Sequence, residues 1–304
     1  MSNLRNFPLY ERAWCLQERL LSPRRIEYGA QELVWQCNES FNCECDEQPP
    51  AMRDNLNIKH QRAKHSRSIR ERDEVWLLIL ESYTAAKLTN ENDILPALSG
   101  IASKLQDLGF GRYLAGLWEE DLLQWLLWYS ETPRKRPSSY IAPTWSWASR
   151  IGPIGMWYLG DSLRRKDDSG AKPLVDILEV ESETRDNNPF GETLGGFLRL
   201  SGRIVTLKLH SQEDGAAGYR ILETDMEIQI KMDTLEGETP DLPVSYLFTP
   251  LVTTYTSGTS IQIIALLIEN IREGVHRRIG YLRTYNAVEI SLLERFPVED
   301  FTII

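Results

Sequence analysis

The hydrophobic residues of this chain change period once, and that change limits the fold more than any other feature. Up to about residue 130 they recur at helical spacing: Val75, Trp76, Ile79, Leu80 and Tyr83, then Ile94, Leu98, Ile101, Leu105 and Leu108. From about Val175 onward short apolar strands dominate, broken by turn residues such as Asn187-Asn-Pro, Gly195-Gly196 and Glu236-Gly237. The switch falls near Pro143-Thr-Trp-Ser-Trp147. It predicts an α+β protein, with an N-terminal hairpin and a helical region followed by an antiparallel β-rich barrel or sandwich-like body.

Local signals fill in that outline. Arg12–Leu21 reads as a short amphipathic helix stopped by Ser22-Pro23. Arg25–Tyr28 and Leu33–Cys37 read as the two strands of a hairpin. Residues 41–72 lose all periodicity and read as a charged linker. Asp93 is the expected N-cap of a helix running to Leu108, with Pro96 at its third position and Gly109 as its stop. Glu119-Glu-Asp121 should open a third, buried helix through Tyr129. Tyr140–Ser149 reads as extended, with Trp145 and Trp147 on one face, where they should bridge the helical and β-rich parts. Strands are expected at 174–182, 197–209, 218–222, 226–232, 244–249, 261–269 and 276–284. The resulting regions are 1–40, 41–72, 73–150 and 151–304.

Composition serves mainly to exclude. Lys and Arg number 34 against 44 Asp and Glu, a net charge of -10 that argues against a general phosphate-backbone binder. The basic run Arg53, Lys59, Arg62, Lys64, Arg67, Arg70 and Arg72 contains no aromatic to stack on bases, so no nucleic acid is expected. The longest apolar run, Ile261–Ile268, is too short for a membrane helix and contains Gln262. With no apolar signal core at Met1–Pro8, the expectation is a soluble, cytoplasmic chain with reduced thiols at Cys15, Cys37, Cys43 and Cys45. The pattern Asn38-Glu39-Ser40 is then only a formal glycosylation sequon. Cys37, Cys43 and Cys45 can be drawn with His60 and His65 as a zinc site, but the spacing matches no finger, and no metal is expected. No P-loop, G-x-G-x-x-G, H-E-x-x-H or G-x-S-x-G occurs, and no His adjoins a nucleophile pattern. No cofactor is expected. The tryptophans interleave with Leu and Ile and read as core rather than as a ligand platform.

One resemblance adds function to this outline. Leu9-Tyr-Glu-Arg-Ala-Trp-Cys-Leu-Gln-Glu-Arg-Leu-Leu-Ser-Pro-Arg24 resembles the last block of the fungal heterokaryon incompatibility (HET) domain, which reads R-x-W-x-L-Q-E-R-x-L-S. Further islands are similar to the region following that domain: Asp93–Ala102, Tyr113–Glu119, Ala142–Ser149 and Gly195–Gly202. The two opening blocks, similar to Y-x-x-L-S-Y-x-W-G and I-D-x-x-C-I-x-Q, do not occur, so the chain looks like a C-terminal portion. The resemblance implies non-self recognition and programmed cell death on fusion of unlike strains. It also implies protein partners, either the absent part of the domain or other incompatibility proteins. A TIR-like fold implies, as the alternative, NAD cleavage completed by an N-terminal half. The motif residues carried over are Arg12, Trp14, Leu16, Gln17 and Glu18, with Trp14 and Leu16 as packing residues. Gln17 and Glu18 are the polar pair that a site would use, Glu18 as catalytic acid.

Overall fold

The computed structural model describes residues 8–29, 33–37, 40–44, 69–159, 163, 171–211, 219–221, 227–233, 244–255, 261–284 and 290–304. Asn38, Cys45, His60, His65 and the basic run from Arg53 to Arg67 lie outside the described residues. The fold is α+β, as the change of period predicts.

Helix α1 (Ala13–Leu21) ends where Ser22 turns extended and its N–H bonds to Glu18 O at 3.1 Å. Strands β1 (Arg24–Tyr28) and β2 (Leu33–Cys37) form the expected antiparallel hairpin, with Arg24 opposite Cys37 and Tyr28 opposite Leu33. The segment read as a linker opens with a third strand, β3 (Phe41–Cys43), paired to β2. Three residues are too few to show a period in the sequence. Cys43 is disulfide-bonded, against the expectation of four reduced thiols, so another sulfur reaches it at the end of β3. Cys15 and Cys37 are thiols outside any disulfide. Among the described residues no group of three His, Cys, Asp or Glu is arranged to hold a metal, and no helix is long and apolar enough to cross a membrane.

Helix α2 (Ile69–Thr84) buries the predicted stripe of Val75, Trp76, Ile79, Leu80 and Tyr83. The helix expected from Asp93 is broken up. Two 3-10 turns, Glu91–Asp93 capped by Asn90 and Pro96–Leu98, precede α3 (Ser99–Asp107). The reason is competition for a carbonyl. The Tyr83 hydroxyl donates to Ile94 O at 2.6 Å, so Leu98 N–H bonds instead to Leu95 O at 3.0 Å. Strands β4 (Tyr113–Leu114) and β5 (Leu117–Trp118) make a tight hairpin. The third helix is a single turn, α4 (Leu122–Trp125), and the chain then enters β6 (Trp128–Tyr129), paired with β7 (Gly155–Met156). Again the carbonyls decide. Arg278 takes Leu126 O at 2.9 Å and Trp128 O at 2.5 Å, which a continuing helix would need.

The body that follows comprises β8 (Lys172–Pro173), β9 (Asp176–Thr184), β10 (Thr193–Arg203), β11 (Val205–Ser211), β12 (Tyr219–Ile221) and β13 (Glu227–Met232). It continues through β14 (Val244–Tyr255), β15 (Ile261–Arg272), β16 (Val275–Thr284) and β17 (Val298–Ile303). The single strand expected at 197–209 is two, divided at Ile204, and β17 escaped notice because Val298-Glu-Asp is polar and exposed. The order β13-β12-β11-β14-β15-β16, with β13 paired back to β16, nearly closes a barrel; β17, β10 and β9 extend from it. Ile263, Ala265 and Leu267 of β15 join Val205, Phe248 and Leu282 in one apolar cluster. Their neighbours Ile264, Leu266 and Ile268 join a second cluster that runs from Ala13 to Ile303. A strand buried on both faces explains why Ile261–Ile268 is almost continuously apolar.

Candidate binding faces

The block Leu9–Arg24 folds into a latch. Backbone bonds at 3.1 Å from Ala13 N–H to Lys87 O and at 2.6 Å from Lys87 N–H to Glu11 O fasten the start of α1, with Arg12 bridged to Lys87. The indole N–H of Trp14 donates to Asp93 Oδ2 at 2.8 Å. Leu16 and Leu20 are buried in the large cluster. Gln17 Oε1 accepts the Gly100 N–H at 2.8 Å, one of the donors at the start of α3 that lack an intrahelical partner. Gln17 thus serves the fold, and Glu18 lies exposed beside it. Neither residue lines either of the two cavities formed within residues 72–125 and within residues 136–304.

Beyond the latch, α1 and the hairpin present large apolar side chains to solvent: Leu9, Trp14, Ile26 and Tyr28, the last 81% exposed. The charges around them are mutually satisfied. Arg25 pairs with Glu27 and donates to Arg19 O at 2.6 Å, and Lys87 pairs with Glu11 at 2.7 Å. The Tyr10 hydroxyl donates to Glu27 while the Arg19 guanidinium lies 4.1 Å over its ring. Burial, reinforced by Glu27, pushes the Tyr10 phenol up to about 12.

The other islands of resemblance meet one another. Tyr140–Ser149 is not extended. A turn at Thr144–Ser146 leads into a 3-10 turn, Trp147–Ser149, capped by Ser146, whose Oγ accepts the Ala148 N–H at 3.0 Å. The β4–β5 turn holds Ala115 at φ 47° and Gly116 at φ 96°, a left-handed pair that suits a two-residue hairpin. Its carbonyls are both taken: Ser146 Oγ–H donates to Ala115 O at 2.5 Å and Trp147 Nε1–H to Gly116 O at 2.8 Å. A Cβ on Gly116 would fall within 2.7 Å of the Trp147 indole, so the close approach also requires glycine. Pro143 meets Gly196 in the same way, since a Cβ there would lie 2.7 Å from Pro143 Cγ and from Glu181 O. Trp145 and Trp147 are buried, Trp147 edge-on to Tyr83 of α2 with ring centroids 6.1 Å apart. Thr144 N–H bonds to Ile304 O at 3.1 Å, and Thr144 Oγ1 accepts the Arg278 N–H at 2.9 Å. The Thr144–Trp147 segment therefore touches both parts of the molecule, through Thr144 on the β-rich side and Trp147 on the helical side.

Arg278 anchors this junction. It is fully buried, pairs with Asp233 at 2.8 Å, lies 3.5 Å over the Trp128 ring and donates to the two carbonyls named above. A buried guanidinium is tolerated because its donors are satisfied.

Beside the junction opens a cleft of about 510 Å³. Its walls include Ala142, Thr144 and Ser149 from one island and Gly195 and Gly196 from another. Three guanidinium residues, Arg136, Arg150 and Arg277, line it, and among the described lining residues there is no Asp or Glu. Arg150 is only 2% exposed and donates to Ser149 O at 2.7 Å. Arg277 pairs with Glu269, which stands outside the lining. The rim is apolar: Tyr140, Leu194, Ile271 and Ile304 are all exposed large side chains. Burial, then Glu183, pushes the Tyr140 phenol up to about 12. Arg277 stands more than 120 residues from Arg136 and Arg150, so no spacing could group the three; the sequence signal at the cleft lay in the Ala142–Ser149 and Gly195–Gly202 islands.

Comparison with known proteins adds no name: no family model, no curated protein and no solved structure matches the chain.

Proposed function

We propose that this chain is a non-catalytic, regulatory binding module of the heterokaryon incompatibility type, acting in fungal non-self recognition and cell death through contact with other proteins. The observation that carries the reading is a set of exposed large apolar side chains on and beside the block that resembles the family: Leu9 and Trp14 at the start of α1, and Ile26 and Tyr28 on the side of β1 opposite Arg25 and Glu27. Apolar residues of this size on a preformed surface favour a protein partner. That partner is a surface carrying the two absent blocks, whether in the same polypeptide or in trans, or another incompatibility protein.

The engagement of Gln17 with Gly100 speaks against the alternative, a TIR-like NAD-cleaving site built on Gln17 and Glu18. The experiment is a binding titration against a purified segment bearing the two opening blocks, with nicotinamide release from NAD assayed in parallel. The expected outcome is complex formation that Ile26→Ser with Tyr28→Ser weakens at least tenfold, and no NAD turnover by the chain alone. Turnover that Glu18→Ala abolishes would overturn the non-catalytic reading.

A further inference from the structure

We propose that two copies of this chain join through the open edge of β1, their small sheets merging into one continuous sheet across a two-fold axis. The strand order β1-β2-β3 leaves β1 at the rim of its sheet. Which of its backbone groups look outward follows from the neighbouring strand. Leu33 O accepts the Glu44 N–H at 3.2 Å and Cys37 N–H donates to Ser40 O at 2.9 Å, so these β2 residues turn their polar groups toward β3. Backbone direction alternates along a strand. Val34 and Gln36 therefore face β1, where they stand opposite Glu27 and Arg25. Arg24, Ile26 and Tyr28 direct their N–H and C=O groups to the open edge, and among the described residues none bonds to them.

The strand also lacks the devices that usually guard such an edge, namely proline, a bulge or inward-pointing charge. Its register on β2 runs unbroken from Arg24 to Tyr28, with no proline inside. Its Arg25 and Glu27 side chains pair with each other on the side that meets Arg19 and Tyr10. The outermost strand of the large sheet is built differently. There β9 carries Glu179, Glu181 and Glu183, and its register on β10 breaks twice. On the outer face of the small sheet Ile26 and Tyr28 are exposed, with Trp35 opposite Ile26 and Leu33 opposite Tyr28.

The strand's own sequence selects a second copy as the occupant. Arg24-Arg-Ile-Glu-Tyr28 is self-complementary when laid antiparallel on itself about Ile26. Ile26 then meets Ile26 of the second copy, Arg24 meets Tyr28, a cation beside an aromatic ring, and Arg25 meets Glu27. Every outward N–H finds an outward C=O, because Arg24, Ile26 and Tyr28 all fall in phase. Moving the axis one residue either way would set Arg25 against Arg25 or Glu27 against Glu27, like charges directly opposite. Backbone bonds along the edge supply the attraction, and the side chains fix the register. The contact is isologous and closes on two copies, so it does not propagate into a filament.

This pairing goes beyond the heterologous contact proposed above, and the two fail separately. Self-association is measured on the chain alone, the other contact only with an added segment.

The test is analytical sedimentation of the full chain. A reversible monomer–dimer equilibrium should appear between about 1 μM and 1 mM, since a single short strand pair lies at the small end of interface sizes. Ile26→Lys and Ile26→Glu each set like charges across the axis and should weaken the dimer about tenfold or more. Both change a side chain exposed on the outer face, so the unfolding midpoint should hold. An equimolar mixture of the two variants should associate at least about fivefold more tightly than either alone, because opposite charges then meet. Leu194→Ser, at an exposed apolar residue of β10, should leave the dimer unchanged. A monomer at every concentration, a dimer that survives either charge substitution, or a mixture no tighter than its parts would overturn the proposal.

Discussion

The N-terminal face and the Arg-lined cleft expose similar kinds of apolar side chain but differ in what surrounds them. Around Trp14, Ile26 and Tyr28 the charges cancel locally, Arg25 with Glu27 and Lys87 with Glu11. Around Tyr140, Leu194 and Ile271 the cleft is lined by Arg136, Arg150 and Arg277, with Glu269 paired to Arg277 and Glu183 against Gly195. An apolar surface whose nearby charges are paired accepts another apolar surface, whereas an apolar rim beside several charged groups presents a more polar environment. The supports differ as well. The first face rests on a helix latched by a few hydrogen bonds near the surface, the second on a turn buried between the helical region and the barrel.

The largest test of this contrast is Trp147→Ala. Removing a buried indole and its bond to Gly116 O should cost about 3–5 kcal/mol in urea unfolding. The N-terminal face, tied to Asp93 and Gly100 instead, should keep its exchange protection. An unchanged unfolding midpoint would mean that the indole bears no weight in the core.

A middle-sized effect separates Gln17 from Glu18. Gln17→Ala leaves the Gly100 N–H without its acceptor and should cost about 1–2 kcal/mol, read as faster amide exchange in α1 and α3. Glu18→Ala should stay within about 0.5 kcal/mol. Equal effects at the two positions would dissolve the latch as a distinct element.

The smallest effect sharpens the electrostatic difference. Tyr10 and Tyr140 each titrate near about 12 rather than 10.0, chiefly through burial, with Glu27 and Glu183 adding to it. The folded state keeps protons that the unfolded chain releases, so the stability present below pH 10.0 is lost as pH rises toward about 12. Tyr10→Phe and Tyr140→Phe should each remove one late-titrating phenol from the ultraviolet titration. A titration left unchanged by either substitution would mean that burial does not hold these phenols protonated.

What the sequence revealed and what it hid follow one physical line. Periods carried by many residues were legible: the stripe of α2, the hairpin of β1 and β2, most of the barrel strands. Elements decided by one distant partner were not. Tyr83 bonding to Ile94 O divided the helix expected from Asp93. Arg278 bonding to Leu126 O and Trp128 O stopped the helix expected through Tyr129. The extended reading of Tyr140–Ser149 failed because Ser146 and Trp147 are committed to the β4–β5 turn, which lies 31 residues earlier. The islands of resemblance were visible as strings, while their shared role, pairing with one another in space, needed coordinates. The same holds for the cleft, whose arginines no local pattern connects.

The reach of Arg278 has a consequence for how the chain is made. Its guanidinium bonds Trp128 O across 150 residues of sequence. At about 5–20 residues per second, synthesis of that interval takes roughly 8–30 s. During this time the segment from Leu126 to Trp128 has been produced while the cation that satisfies its carbonyls has not. Trp128, whose ring lies under the Arg278 guanidinium, cannot reach its final packing before β16 leaves the ribosome, however early the neighbouring helices form. This part of the helical region is thus completed by the barrel that follows it, and only when the last tenth of the sequence arrives.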